Sequence, residues 1–311
     1  MQSSKSKASD ALKHIARNQE IKDYVLNNEE LYSILLKGAR RFIAGTNIDQ
    51  CIAMARQFNE KSVATTIDFM GEDTVDKEQA MQAYKKFRKV ISVINEYNLQ
   101  SSVSLDLSHI GLSVEKEQAI ENMKELAKES QASGIEIMIS MEGSEKTDNI
   151  FSVYEEVSKN YRNVGITIQA YLNRSVDDLE RLLKLNGKIR LVKGAFEEPA
   201  EKAKERGPEL NERYLELLNR ILSFGKACSI ATHDHKLINQ ATGLISRYNM
   251  RTKAEFEMLL GVSNSMLEDL NEQGFNTRVY LPYGSEWYLY YCHRLAENSS
   301  NVYQAIADMV K

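Results

Sequence analysis

The stretch KIRLVKGA at 188–195 decides the fold. Its centre, IRLV, is a short, near-continuous apolar run that soon meets a glycine. Such a run suits a strand covered on both faces, the condition of a parallel sheet wrapped by helices. The same pattern recurs on either side of it. Runs rich in β-formers occur at 62–70 (SVATTIDFM), 101–112 (SSVSLDLSHIGL), 134–141 (GIEIMISM), 164–171 (VGITIQAY), 227–234 (ACSIATHD), 254–261 (AEFEMLLG) and 277–284 (TRVYLPYG). Each is separated from the next by a charged stretch of helical character, at the spacing of strand–helix units. Eight such units in 311 residues favour a (β/α)8 barrel of the α/β class over an open doubly wound sheet.

Before the first run, ALKHIARNQEIKDYVLNNEELYSILLKGARRFI and NIDQCIAMARQFNEKS read as helices. They predict an N-terminal helical arm over 1–60, packed on a barrel over 61–311. Three prolines and no Pro/Gly/Ser-rich linker leave that barrel as one domain. A hydrophobic content of 42% supports a sizeable core. The net charge of −4, with no basic cluster interleaved with aromatics, gives no attraction for nucleic acid. Charged runs such as EKAKERGPELNER read as solvated helix faces. Cys51, Cys228 and Cys292 lack metal-ligand spacing, so no metal site is expected, and their low, odd number suits a reducing compartment. Residues 1–20 hold no signal-like apolar core, and no apolar run reaches the length of a membrane span. A cytoplasmic protein is expected, with peripheral contact at a membrane left open. No Gly-x-Gly-x-x-Gly follows a strand, so the usual dinucleotide fingerprint is absent.

Barrel enzymes build their sites at the C-terminal ends of the strands. Here those ends collect polar residues: Asp68 and Glu72, Asp106 and His109, Ser140 and Glu142, Gln169, Arg190 and Lys193, Thr232 and His233, Glu257, and Tyr280. A lone Gln169 or Glu257 inside a strand reads first as a satisfied interior group, and His109, past the rim, as a surface residue. Their accumulation along one edge predicts a functional rim. Lys193 allows a second chemistry, a Schiff base as in class I aldolases, if desolvation or a nearby cation lowers its pKa. Arg190 lies three residues earlier, an odd spacing for one strand face unless the strand is ending. Gly194 permits close backbone approach. Near the C-terminus, YLYYCHRLAENSSN at 288–301 reads as one amphipathic helix, and Glu286, Tyr290, His293, Arg294 and Glu297 share a face of it.

In combination these segments resemble the proline dehydrogenase family. The likeness is carried by GARRFIAG, the IDFMGE of the first strand, TIQAY, RLVKGAFEE, ATHD, and the closing YLPYG…W…Y…RLAEN, and it runs from about Arg40 to the C-terminus. The resemblance implies a distorted barrel that holds FAD at its strand ends. It also implies hydride transfer from a carbon beside an amine nitrogen to the flavin, giving a cyclic imine. On the matching positions, Met141, Gln169, Arg190, Val192, Lys193, Gly194, Ala195, Thr232 and His233 are implied to contact the flavin. Cations such as Arg190 and Lys193 near it favour the anionic reduced form. The closing helix is implied to cover the substrate, with paired arginines gripping a carboxylate and acids of the first strand pairing with those arginines. Leu259, Tyr280 and Tyr290 are implied to wall the pocket.

The chain departs from this pattern at the carboxylate grip. The first of the paired arginines is His293, followed by Arg294. The lysine of the second strand is Asp106, and the aspartate of the third is Ser140. A charge-assisted hydrogen bond contributes about 1.5–3 kcal/mol. Loss of two cations would therefore weaken a carboxylate by roughly two to four powers of ten. A partly buried Asp106 without a cation is costly, so it must pair with Arg294 or His293 or meet a cation on the substrate. The expectation is a flavin-dependent dehydrogenase for a proline-like cyclic or secondary amine without a free carboxylate. Arg190 supports the flavin, and His293 or Asp106 takes the amine proton. Arg294 serves either a substrate group or Asp68. Ordinary L-proline oxidation to 1-pyrroline-5-carboxylate, the aldolase and a non-catalytic flavin-binding protein are the rivals. The electron acceptor, whether a quinone, oxygen or another carrier, is not written in the sequence.

Overall fold

The structure, a computed structural model, describes residues 4–310; the outer bounds of the expected arm and barrel, at 1–3 and 311, lie outside the described residues. Eight strands close into a parallel barrel in chain order: β1 (Ala64–Phe69), β2 (Ser101–Leu105), β3 (Ile137–Ile139), β4 (Val164–Gln169), β5 (Ile189–Val192), β6 (Cys228–Ala231), β7 (Ala254–Leu259) and β8 (Asn276–Tyr283). Closure is made by β8 on β1, with Thr66 opposite Tyr280. Each expected run coincides with one strand, β8 starting one residue before its run. The run at 101–112 is strand only to Leu105; beyond it the chain turns, and buried Leu107 and Ile110 give the turn a strand-like composition.

Alternate side chains of a strand face opposite ways, and here the two faces differ in chemistry. One set, including Ile67, Val103, Leu105, Ile166, Ile168, Ile189, Leu191, Ile230 and Phe256, belongs to the main apolar core beneath the helices. The other set points into the barrel and is polar. Thr66 on β1 donates to Glu257 on β7, and Arg190 on β5 reaches Ser104 on β2, contacts that only the barrel interior permits between strands that are not neighbours. IRLV is covered on both faces, as expected, but by different means: Ile189 and Leu191 pack outward while Arg190 is buried in the interior.

The chain opens with α1 (Ser4–Arg17), α2 (Gln19–Asn27), α3 (Glu29–Ala39) and α4 (Ile48–Glu60). Between the strands run α5 (Lys77–Glu96), α6 (Lys116–Ala132), α7 (Thr147–Ser158), α8 (Ser175–Leu182), α9 (Pro208–Ser223), α10 (His235–Arg247) and α11 (Asn264–Glu272). The longest, α5, starts where Asp76 accepts a hydrogen bond from Gln79 N. It buries Ala80, Ala83, Tyr84, Phe87, Val90, Ile91 and Ile94, the stripe that a helix laid on a sheet requires. Cys51, Ile52 and Ala55 of α4 join the barrel core.

A second core forms elsewhere. Phe42, Trp287, Tyr288, Tyr291, Cys292, Leu295 and Ala305 pack together with residues of α1–α3, joining them to α12 (Trp287–Glu297) and α13 (Ser299–Met309). The single helix expected over 288–301 is therefore two helices. The chain extends at Asn298 (φ −144°, ψ 125°), whose side chain accepts from Ser300 N and caps α13. Ser9 Oγ donates to Ala296 O at 2.9 Å, and Lys22 pairs with Glu286 at 2.6 Å, so α1 and α2 hold both ends of α12. Among the described residues no helix is long and apolar enough to cross a membrane.

Candidate active site

Burial along the strands marks the site. β1, β5, β6 and β7 are buried in their middle and become partly exposed at their C-terminal residues. Asp68, Asp106, Ser140, Val192, Lys193, His233, Leu259 and Tyr280 are all half-buried, so they line a mouth at that end. Its floor is Arg190, 5% exposed. The Arg190 Nε donates to Thr167 Oγ1 at 3.0 Å, and Nη2 donates to Ser104 Oγ at 3.0 Å and Ser140 Oγ at 3.2 Å. The guanidinium carbon lies 5.3 Å from the centre of the Tyr280 ring. These contacts fix a planar cation one layer beneath the rim.

Above it stand Asp68 and Asp106, which form no salt bridge among the described residues. Asp68 is hydrogen-bonded by Tyr280; burial nevertheless lifts its pKa to about 6, with Tyr280 and Arg190 pulling the other way. Asp106 is pushed well above the usual carboxylate range, first by burial and then by the charges of Glu142, Asp68 and Glu72, against a hydrogen bond from Ser140. Surface-exposed Glu72 is shifted upward as well, by lost hydration and by Asp73 and Glu142. Glu142, by contrast, is fully satisfied. It accepts from Ser108 N at 3.1 Å and pairs with Lys146 at 2.7 Å, and Lys146 also reaches Asp73. Lys146 caps the start of α7, and the turn after β3 brings it back to Glu142, a contact that no helical spacing announces.

The pairings expected for the closing helix are corrected by the structure. Arg294 is buried but pairs with Glu297 at 2.6 Å, one turn on, and not with Asp68, Glu72 or Asp106. Its guanidinium lies 5.1 Å from the Tyr290 ring centre. His293 is half-buried, and its pKa is lowered by burial and then by Arg294, Arg17 and Lys13, with Glu197 opposing. Thus α1 brings Lys13 and Arg17 to the helix, and Lys13 pairs with Glu197 in the loop after β5. No sequence pattern linked residues so far apart. Tyr290 and Arg294 still face the mouth, since Asp68 acts on the first and Arg294 acts on His233. His109 is the other correction. It is 8% exposed, stacked 5.4 Å from Phe69 and edge-on to Phe87 at 5.6 Å, because the loop after β2 folds back over α5.

The residues implied for the flavin gather on one side of this mouth. Met141 and Thr232 are buried, and Ala195 is exposed in the loop after β5. Gln169 Nε2 donates to Glu142 O at 2.9 Å, which fixes the orientation of its amide. Lys193 stands just past the end of β5, which accounts for its spacing from Arg190, and pairs with Asp234 at 2.8 Å. That ion pair engages the amine that a Schiff base would need free. Gly194 has φ +117°, and a Cβ there would lie 2.2 Å from the Tyr171 ring, so glycine is required. His233 Nε2 accepts from Leu259 N at 3.3 Å, and burial and Arg294 lower its pKa to about 4. The ring is therefore neutral and carries its proton on Nδ1.

That Nδ1–H is buried without a hydrogen-bond partner, and so are Arg190 Nη1, the Tyr290 hydroxyl and Arg294 Nε. Unpartnered buried donors are rare in proteins. Grouped around one mouth, they fit a flat ring with acceptor atoms along its edge, which is the chemistry of a flavin. No group of three or more His, Cys, Asp and Glu among the described residues is arranged to hold a metal ion.

Comparison with known proteins agrees with this geometry. The proline dehydrogenase family model matches residues 51–305. Proline dehydrogenase 1 of Bacillus subtilis (strain 168) is 31% identical over 277 residues, covering 88% of this chain and 91% of that protein. Proline dehydrogenase 2 of the same strain is 32% identical over 274 residues, with 88% and 90% covered. Among solved structures, proline utilization A from Bdellovibrio bacteriovorus inactivated by N-propargylglycine superposes with a TM-score of 0.79 at 18% identity over 96% of this chain. The chain spans 41% of that longer protein, so this likeness speaks for the fold alone. With a matching family model, relatives of nearly equal length and a mouth that suits the cofactor, the chain belongs to the proline dehydrogenase family of FAD-dependent oxidoreductases.

Proposed function

We propose that the protein oxidises a proline-like cyclic or secondary amine that lacks a free carboxylate, giving the imine. The observation that carries this reading is Asp106. It stands with Asp68, Glu72 and Glu142 at the mouth and has no cation of its own among the described residues, while Arg294 is engaged by Glu297. A substrate carboxylate would meet like charge there, whereas a protonated amine, or a second basic group, would meet its counter-ion. An amide or ester of a cyclic amino acid also fits, since Arg294 and Tyr290 can address a carbonyl.

FAD, when bound, supplies the acceptor for the hydride leaving the carbon next to nitrogen. The chain's own groups do the rest. Asp106 seats the ammonium and takes its proton, because hydride departs readily only beside a neutral amine. His293, whose pKa is lowered by burial and then by Arg294, Arg17 and Lys13, is the other proton acceptor of the site. Arg190 supports negative charge as it develops above the floor of the barrel. Tyr280, Tyr290, Leu259 and Ser140 wall the substrate, and Met141, Gln169, Val192, Lys193, Gly194, Ala195, Thr232 and His233 line the cofactor seat. The second half-reaction passes the electrons to a quinone, oxygen or another carrier.

A second reading, L-proline oxidation to 1-pyrroline-5-carboxylate, is favoured by one observation. Arg17 and Lys13 of α1 lie beside His293 and could replace the missing grip. Anaerobic bleaching of the flavin by a panel of amines separates the two. Pyrrolidine and L-proline amide should reduce it at least tenfold faster than L-proline, and Asp106→Lys should shift the preference towards L-proline. Fast bleaching by L-proline that Arg17→Ala abolishes would instead establish the second reading. A yellow protein that no amine bleaches but dithionite does would be a non-catalytic flavin-binding protein.

A further inference from the structure

Glu257 lies too deep to touch a ligand. It is 4% exposed, on β7, one strand pleat below half-buried Leu259. Its Oε1 accepts from Thr66 Oγ1 at 2.7 Å and lies 3.5 Å from Arg190 Nη1. The remaining side-chain partners of the Arg190 guanidinium are hydroxyls, those of Thr167, Ser104 and Ser140, and the face of Tyr280. Hydroxyls and a ring orient a cation but carry no formal charge. Glu257 is therefore the carboxylate in ion-pair reach of the cation beneath the mouth. The contact is incomplete in a specific way: Nη1 is buried, makes no directed hydrogen bond, and keeps its donors. Charge is compensated while a donor stays available.

We propose that Glu257 is the internal counter-ion of Arg190, a positioning residue that sets the reduction potential of the flavin, with Thr66 regulating how much charge it presents. This rests on the reading that the flavin lies against Arg190, and not on which amine is oxidised. An unscreened buried cation next to the ring would stabilise the anionic reduced flavin strongly and make it a poor electron donor in the second half-reaction. A fully hydrogen-bonded pair would hide the cation. The 3.5 Å contact holds the intermediate condition, and the Thr66 hydrogen bond to the same oxygen draws charge away from Arg190.

The two ends of this chain of contacts predict shifts of opposite sign. In the flavin-loaded full chain, Glu257→Gln removes the screen and should favour reduction about tenfold, roughly 30 mV more positive for a two-electron couple. Thr66→Val leaves both charges and returns charge to Oε1, so it should lower the potential, by less. Potentials are read by equilibration with redox dyes and dithionite, without any amine, so failure of the amine reading leaves this test intact. Denaturant unfolding of the same variants stripped of flavin reports the purely structural part. An unchanged or lowered potential in a folded Glu257→Gln protein would overturn the proposal, and so would shifts of the same sign in both variants. If Glu257→Gln does not fold, Thr66→Val alone decides: a lowered potential supports the assignment and an unchanged one overturns it. Loss of flavin from both variants also overturns it, since Glu257 would then hold the seat and not tune it.

Discussion

The two ends of the barrel both carry charged side chains and treat them in opposite ways. At the N-terminal end Lys188 lies between Glu136 at 2.9 Å and Glu255 at 3.0 Å, and Arg278 approaches Glu255 at 3.0 Å. Arg278 also donates to Thr65 O and Ser102 Oγ. Burial alone would raise the pKa of Glu255; Arg278, Lys188 and Ser229 overcome it and hold the group at about 2. At the C-terminal end burial wins, and Asp68 and Asp106 rise. A cavity of about 420 Å³ opens at the N-terminal end, lined by Gln100, Ser101, Glu136, Lys188 and Arg278 among others. Space is therefore not what separates the two ends. Ion pairs hold the acids of one end, and at the other Asp68 and Asp106 form none among the described residues. Perturbed acids of the second kind are the ones that point to chemistry.

This contrast can be broken by mutation. Lys188→Met strips the cation from between two buried carboxylates and should cost about 3–5 kcal/mol in denaturant unfolding at pH 7. A neutral result would mean that this end is not held by charge. At the other end the sign reverses. Asp68 keeps a folded-state pKa of about 6 against an ordinary 3.8, so the native state holds a proton that the unfolded chain has released. Wild-type stability should fall as pH rises from about 4 to 6 on account of this group, and Asp68→Asn should gain about 2–3 kcal/mol at pH 8 but nothing at pH 4. A loss of stability at pH 8 would sink the claim that Asp68 lacks an adequate partner.

Smaller effects sharpen the comparison. Glu255 titrates the other way: its folded pKa is about 2 against 4.5, so its contribution is complete above pH 4.5 and is lost as pH falls towards 2. Ser229 donates to Glu255 at 2.6 Å, and Ser229→Ala should cost about 1.5 kcal/mol and move that acid edge upward in pH-dependent unfolding. The corresponding hydroxyl at the mouth is Ser140, beside Asp106. Ser140→Ala should cost less than about 1 kcal/mol near neutral pH, because burial already opposes the charge on the carboxyl it serves. Equal costs for the two serines would erase the distinction between the ends.

The fold was legible because outward-facing strand residues such as Ile189, Leu191, Ile166 and Ile168 obey a local pattern, and a local pattern is what a sequence records. The rim residues were legible by the same logic, as strand ends followed by turns. Their partners were not. Arg294 turns to Glu297, its neighbour one turn away, and leaves Asp106 alone, a choice set by where α12 sits. His109 looks like a loop residue until Phe69 and Phe87 close around it. Lys13 meets Glu197 across 184 positions of sequence. The Lys188, Glu255 and Arg278 cluster drew no notice because each residue sits near the start of a strand, the end of a barrel that usually serves stability.

One consequence follows from the second apolar core. The cover over the mouth, α12, rests on Trp287, Tyr288 and Tyr291, which belong with the opening helices and not with the barrel beneath. Opening the mouth therefore exposes the aromatic packing of the cover without disturbing the sheet. Amide exchange in α12 should report a lower free energy than in β4, whose six residues are all buried. A helix anchored in an apolar cluster apart from the main core is expected to loosen before the sheet does.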